Sequence, residues 1–105
     1  SESIRNRVVA ARTLQKQRFI KAGHPELNTN AEMNGEILEK IAGLDDEAKA
    51  LLISFSEKNK LSARSYHRII RLSRTIADLQ NKINVSRIHV AEALSYRRIL
   101  PNKRI

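Results

Sequence analysis

Arg64, Arg68 and Arg71 recur at spacings of four and three, so any helix that carries them places all three on one face. Arginine's planar fork suits two-point contact with phosphate or carboxylate. Arg64 comes just after Leu61 and Ser62, at what reads as a helix start. Backbone N–H groups without helical partners point toward the same place and favour an anion there. The predicted chemistry is therefore anion contact, with Arg64 as the first candidate and Arg68 and Arg71 as candidates for nucleic-acid phosphate. The competing reading is a solvated basic face whose Arg68 and Arg71 pair with the acidic segment 32–47. Arg74 and Asp78 lie at i and i+4 on the neighbouring face, near His67 and Arg71. Asp78 reads as structural, within reach of Arg74.

Catalysis needs a constellation, and these residues supply none. His24, His67 and His89 lack metal-ligand spacing, no HExxH motif occurs, and each reads as a core or surface histidine. Asp45, Asp46 and Glu47 fit a cap and the first turn of a helix better than a metal cluster. The serines have no GxSxG elbow. No Walker A glycine loop is present to cradle a triphosphate. Cysteine is absent, which removes disulfides, thiolate metal sites and thiol chemistry and fits a reducing cytosol. Two tyrosines, Tyr66 and Tyr96, and no tryptophan make a poor platform for stacking bases. The expectation is a chain with no metal, no cofactor and no catalysis of its own.

Charge is the informative bulk property. Twenty Lys and Arg face eleven Asp and Glu, for a net +9. Residues 1–25 carry +5, residues 26–57 carry −6 and residues 58–105 carry +10. If the two basic ends fold together, a polyanion meets strong positive potential. A solubility role, or contact with an acidic neighbouring domain, fits the same numbers. No apolar run approaches the roughly 18 residues of a membrane span, and no signal peptide opens the chain.

The elements that position these residues read as helices. Three glycines and two prolines in 105 residues, with abundant Ala, Leu, Ile, Arg and Lys, leave little punctuation. Ser3 is the predicted cap of a first helix whose stripe is Ile4, Val8, Ala11 and Gln15, ending between Phe19 and Gly23. After a loop over 23–29, Thr29 or Asn30 caps a short helix with Met33, Ile37, Leu38 and Ile41 inward, and Gly43 ends it. Asp45 caps a third helix that buries Ala48, Leu51, Leu52 and Phe55 and fades near Asn59. Ser62 starts the longest helix, with Ile69, Leu72, Ile76 and Leu79 inward. Ser86 caps the last, whose predicted inner face is Ile88, Ala91 or Glu92, and Ser95, with Val90 and Leu94 beside it. The expected fold is all-α: one compact domain of four to five helices over 1–100, followed by a basic tail over 101–105.

Several stretches carry a family resemblance. LSARSYHRIIRLSRTIADL at 61–79, SRIHVAEALSYR at 86–97, RVVAARTLQKQRF at 7–19 and NAEM at 30–33 together resemble the C-terminal helical domain of the magnesium chelatase-like AAA+ ATPases, the competence protein ComM group. Ser73 stands where the family usually has alanine, a small-for-small change that should not matter. The resemblance implies the helical lid that follows an AAA+ nucleotide-binding core. It implies a cytoplasmic, ring-forming, hexameric ATPase linked to DNA uptake and recombination as a branch-migration helicase. ATP and magnesium would be held mainly by that core, with the core and neighbouring subunits as partners. In related ATPases an arginine at the start of a lid helix reaches the γ-phosphate; Arg64, in Ser62-Ala63-Arg64, is the matching residue, and the resemblance makes it both catalytic and ATP-binding.

Two other classes stay open at this level: a freestanding helical DNA-binding module and a protein-interaction domain. A helix-turn-helix needs a short recognition helix after a tight turn. Residues 86–98, opened by Ser86 and Arg87, are the nearest candidate, but the helix over 62–80 is too long to be the partner in that motif.

Overall fold

The helix that follows Ser62 has 17 residues and is not the longest, since the first helix has 20, but it organises the molecule. In the computed structural model, which describes residues 2–30 and 35–99, helix α4 (Ala63–Leu79) packs against α1 (Glu2–Lys21), α2 (Gly35–Ile41) and α5 (Arg87–Ile99). Helix α3 (Asp46–Asn59) packs against α5. The expected all-α bundle is thus observed. Among the described residues no strand forms. A single isolated parallel bridge joins Leu44 to Val85 and ties the α2–α3 turn to the α4–α5 turn. Its bonds run from Asp45 N–H to the Val85 carbonyl and from Val85 N–H to the Gly43 carbonyl, each 2.9 Å.

Local chemistry sets the helix ends. Asp45 is extended and its Oδ1 accepts the Ala48 N–H at 2.8 Å, as its position before two acids suggests. Ser62 does the same for Ser65 at 3.1 Å. Helix α3 closes through Lys60, which takes the left-handed conformation at φ 50°. Gly43 ends α2 at φ 75°, where an L side chain would be strained and its Cβ would also lie 3.3 Å from the Arg74 guanidinium.

The core joins Phe19, Leu38, Leu52, Val85 and Val90, all fully buried, with Ile69, Ile70 and Ile76 from α4. Each such side chain contributes about 1.5–3 kcal/mol by leaving water. Two predicted faces are corrected. On α1, Ala11, Gln15 and Phe19 are buried, but Ile4 and Val8 are exposed, and Val8 borders an open cleft with Thr75 and Leu79 of α4 instead of packing against them. On α5, the buried positions are His89, Val90, Ala93 and Leu94, whereas Ile88, Ala91, Glu92 and Ser95 are exposed. Helix α5 is wedged between α3 and α4, and that wedge turns the Val90–Leu94 side inward. Ser3 lies inside α1 and is not its cap. Met33, the helix start expected after Thr29 or Asn30, and the tail over 101–105 fall on residues outside those described.

Candidate functional site: the arginine face of helix α4

Helix α4 displays Arg64 and Arg68 because its apolar residues occupy the opposite side, where Arg74 is buried too. Ile69, Ile70, Ile76 and Ala77 are buried, so Arg64 and Arg68 emerge into solvent and Arg71 is half-buried. No hydrogen bond or ion pair engages the Arg64 side chain among the described residues. At the helix start, the Ser62 hydroxyl takes the Ser65 N–H and the Ser62 carbonyl takes the Tyr66 N–H at 2.9 Å. The helix start is therefore partly capped, and the N–H groups of Ala63 and Arg64 are donors left there without an intrahelical partner.

One contact between this helix and the acidic segment is made by His67. Its Nε2 lies 3.1 Å from Glu39 Oε2 and ties α4 to α2. Gly35 opens α2 directly against that ring; a Cβ there would stand 2.6 Å from His67 Cε1. Tyr66 packs edge-on to His67, with ring centroids 5.9 Å apart. Burial first, and Glu39 second, push the Tyr66 hydroxyl above its ordinary pKa. Tyr96 sits exposed on α5, its hydroxyl 3.4 Å from Glu92.

Below the arginine face lies a buried polar network. Asp78 accepts from Arg74 Nε at 3.1 Å and pairs with Arg74 Nη2 at 3.0 Å. It also accepts from both terminal nitrogens of Arg18, one at 3.2 Å, and from Asn30 Nδ2 at 3.0 Å. Arg74 donates further to the carbonyls of Ala42, Ile83 and Lys82 at 2.8, 2.8 and 2.7 Å. Asn30 also donates to Thr75 Oγ1 at 3.0 Å, and its backbone N–H reaches Gln15 Oε1 at 3.2 Å. Burial lowers the Arg74 pKa, and Asp78 opposes that shift. Arg74 with Asp78 is the pair the spacing predicts. The network role of Arg18, Asn30 and Gln15 is not legible in the sequence, where Asn30 reads as a possible cap and Gln15 as part of the α1 stripe; the available signal was Gln15, a polar residue on that inner stripe. Ser73 is fully buried, and its hydroxyl satisfies itself on the Ile69 carbonyl at 2.8 Å. The network serves the fold, since its donors and acceptors bind one another.

His89 is a satisfied core histidine. Its Nδ1 accepts the Ser86 N–H at 2.9 Å, which leaves Nε2 to donate to Gln80 Oε1 at 3.1 Å. Burial, then Arg74, hold its pKa below the ordinary value. Ser86 opens α5 through its carbonyl, which receives the N–H groups of His89 and Val90 at 3.0 and 3.3 Å. Among the described residues no three His, Asp or Glu side chains gather to hold a metal. No described helix is long and apolar enough to cross a membrane.

What can be built here is an anion contact at the exposed start of α4. Comparison with known proteins gives it a setting. The family described as magnesium chelatase, subunit ChlI C-terminal, matches residues 1–97. The chain belongs to that family. This magnesium chelatase C-terminal domain is 38% identical over 97 residues to the competence protein ComM of Haemophilus influenzae, covering 92% of the chain and 18% of that protein. It is 32% identical over 99 residues to the uncharacterized protein YifB of Salmonella typhimurium and 31% identical over 99 residues to that of Escherichia coli. In both cases 94% of the chain and 18% of the relative are covered. The chain thus spans less than a fifth of the length of the curated relatives it matches. No solved structure matches it. The domain is a helical lid related to the magnesium chelatase and ComM-like AAA+ ATPases, and its described residues contain no catalytic motif of their own.

Proposed function

We propose that this lid works as part of a cytoplasmic, ring-forming AAA+ ATPase and contributes Arg64 to an ATP site held mainly by the nucleotide-binding core. The observation that carries the reading is the position of Arg64, exposed in the first turn of α4 and engaged by no other described residue. A guanidinium beside helix-start N–H groups favours a phosphate. Between core and lid it would stabilise charge on the transferring phosphoryl group and couple the lid's angle to the state of the nucleotide. Family membership supports the ATPase setting. ATP and magnesium would be bound chiefly by the core.

The wider role proposed is that of a DNA-acting motor of the branch-migration type, hexameric in the ring. Support comes from the net +9 charge and from the relative in Haemophilus influenzae being a competence protein. Exposed Arg68, with Arg71 beside it, is the candidate for phosphate contact from DNA. The deciding experiment is ATP turnover by the full-length protein with and without Arg64→Ala. A strong loss is expected; turnover at the parent rate would overturn the role of Arg64. For DNA, the isolated domain should bind weakly, without sequence preference and with a steep salt dependence. Salt-insensitive binding that prefers one sequence would favour a freestanding DNA-binding module instead.

A further inference from the structure

The turn between α4 and α5 leaves Ile83 88% exposed, and across from it on α1 Ile20 is 55% exposed. With Leu14 they line a groove of about 680 Å³ between the end of α1 and residues 81–83. Two large apolar side chains facing one groove mark a contact surface more than scattered surface residues do.

Both walls of the groove are held from inside by one carboxylate. Arg74 grips the carbonyls of Lys82 and Ile83, and Lys82 N–H bonds to the Ala77 carbonyl at 2.9 Å. Arg18, on the α1 wall, is tied to Asp78, the same residue that holds Arg74. The groove is thus shaped before anything enters it, and little ordering entropy is lost on binding. Its charge is of one sign. Lys21 and Lys82 line it together with Arg18, and no carboxylate does among the described residues.

We propose that this groove docks an acidic protein segment with an apolar face. Large apolar side chains would sit between Ile20 and Ile83, and flanking carboxylates would meet Lys21 and Lys82. A nucleic acid would match the charge but leave the apolar walls unused. A second copy of the chain, groove to groove, would set Lys21 and Lys82 against their own counterparts. The site is separate from Arg64, which lies at the opposite end of α4, roughly 22 Å away at 1.5 Å per residue.

The test uses the 105-residue chain and two fluorescent helical peptides of about four turns. Both carry leucines on one face, flanked by glutamates in one and by lysines in the other. Fluorescence anisotropy should show binding of the glutamate peptide and at least about tenfold weaker binding of the lysine peptide. Ile83→Asp, at a side chain with almost no packing to lose, should weaken the glutamate peptide about tenfold or more. Lys21→Glu with Lys82→Glu should reverse the preference between the two peptides. Lys58→Ala, at an exposed cation outside the groove, should leave the binding of both peptides unchanged. The proposal fails if both peptides bind alike, if neither binds, or if Ile83→Asp binds as the parent does. It also fails if a short DNA duplex displaces the glutamate peptide from the Ile83 site. Sedimentation showing a dimer that Ile83→Asp dissolves would assign the groove to a second copy and likewise overturn it.

Discussion

Arg74 and Asp78 stand one helical turn apart on α4, both about 1% exposed, with Arg74 Nε 3.1 Å and Nη2 3.0 Å from the same Asp78 oxygen. The pair is the hinge pin of the fold. Arg74 continues to the end of α2 and to the α4–α5 turn, while Asp78 reaches α1 through Arg18. Helices α1 and α4, the residue that follows α2 and the α4–α5 turn therefore meet at one buried ion cluster. Two guanidinium groups share one carboxylate there, and backbone carbonyls take up the remaining donors of Arg74.

Removing the carboxylate should be costly. Asp78→Ala leaves Arg74 buried without its counter-ion and is expected to lose about 3–5 kcal/mol in urea unfolding. Arg18→Ala should cost less, because the Arg18 side chain keeps 18% of its exposure and Arg74 retains Asp78. An Asp78→Ala protein within about 1 kcal/mol of the parent would show that the network follows the fold and does not secure it.

The phase of α5 can be read by a pair of truncations. Leu94→Ala, at a buried position between α3 and α4, should cost about 2–5 kcal/mol. Ile88→Ala, at a side chain 65% exposed, should stay within about 0.5 kcal/mol of the parent. Equal losses would mean that α5 is rotated from the orientation described.

Acid should weaken the domain through His89. Its folded pKa lies below the ordinary 6.5, chiefly from burial, so the unfolded chain binds the proton more readily. The stability from neutral His89 is present in full above about pH 6.5 and declines as pH falls from there toward the folded value. A protonated Nδ1 can no longer accept the Ser86 N–H. Urea midpoints followed from neutral into mildly acidic buffer should fall for the parent and fall less for His89→Gln. Parallel curves for the two proteins would remove His89 as the cause.

Arg64 should matter for turnover and hardly at all for folding. As an exposed residue, Arg64→Ala should change the stability of the isolated domain by no more than about 0.5 kcal/mol. In the full-length protein the same change should lower ATP turnover by about tenfold or more, with partial rescue by Arg64→Lys, which keeps the charge and loses the fork. Arg68→Ala, also exposed, is the control and should turn over ATP nearly as the parent does. Unfolding of the isolated Arg64→Ala domain would instead make Arg64 a structural residue.

The sequence by itself determined the elements and several of their ends, though not the start of α1, where Ser3 lies inside the helix. Asp45, Ser62 and Gly43 act locally, through a side-chain acceptor or a permitted positive φ, so their effect is legible without knowing what lies across the fold. The Arg74–Asp78 pair was legible for the same reason, being one turn apart on one helix. The clustering of Arg64, Arg68 and Arg71 on the outer side of α4 also follows from spacing, because the apolar residues opposite leave only one way to turn that helix. Tertiary structure decided what no local rule reaches. Arg18 and Asp78 are 60 positions apart, and only the packing of α1 on α4 brings them together. Helix α5 has apolar residues on more than one side, so its periodicity admits several inner faces; being wedged between α3 and α4 chose Val90, Ala93 and Leu94. Ile4 and Val8 continue a genuine apolar stripe, yet they stay exposed because burial depends on a partner surface, and beside Val8 the described residues of α4 leave a cleft instead of packing on it.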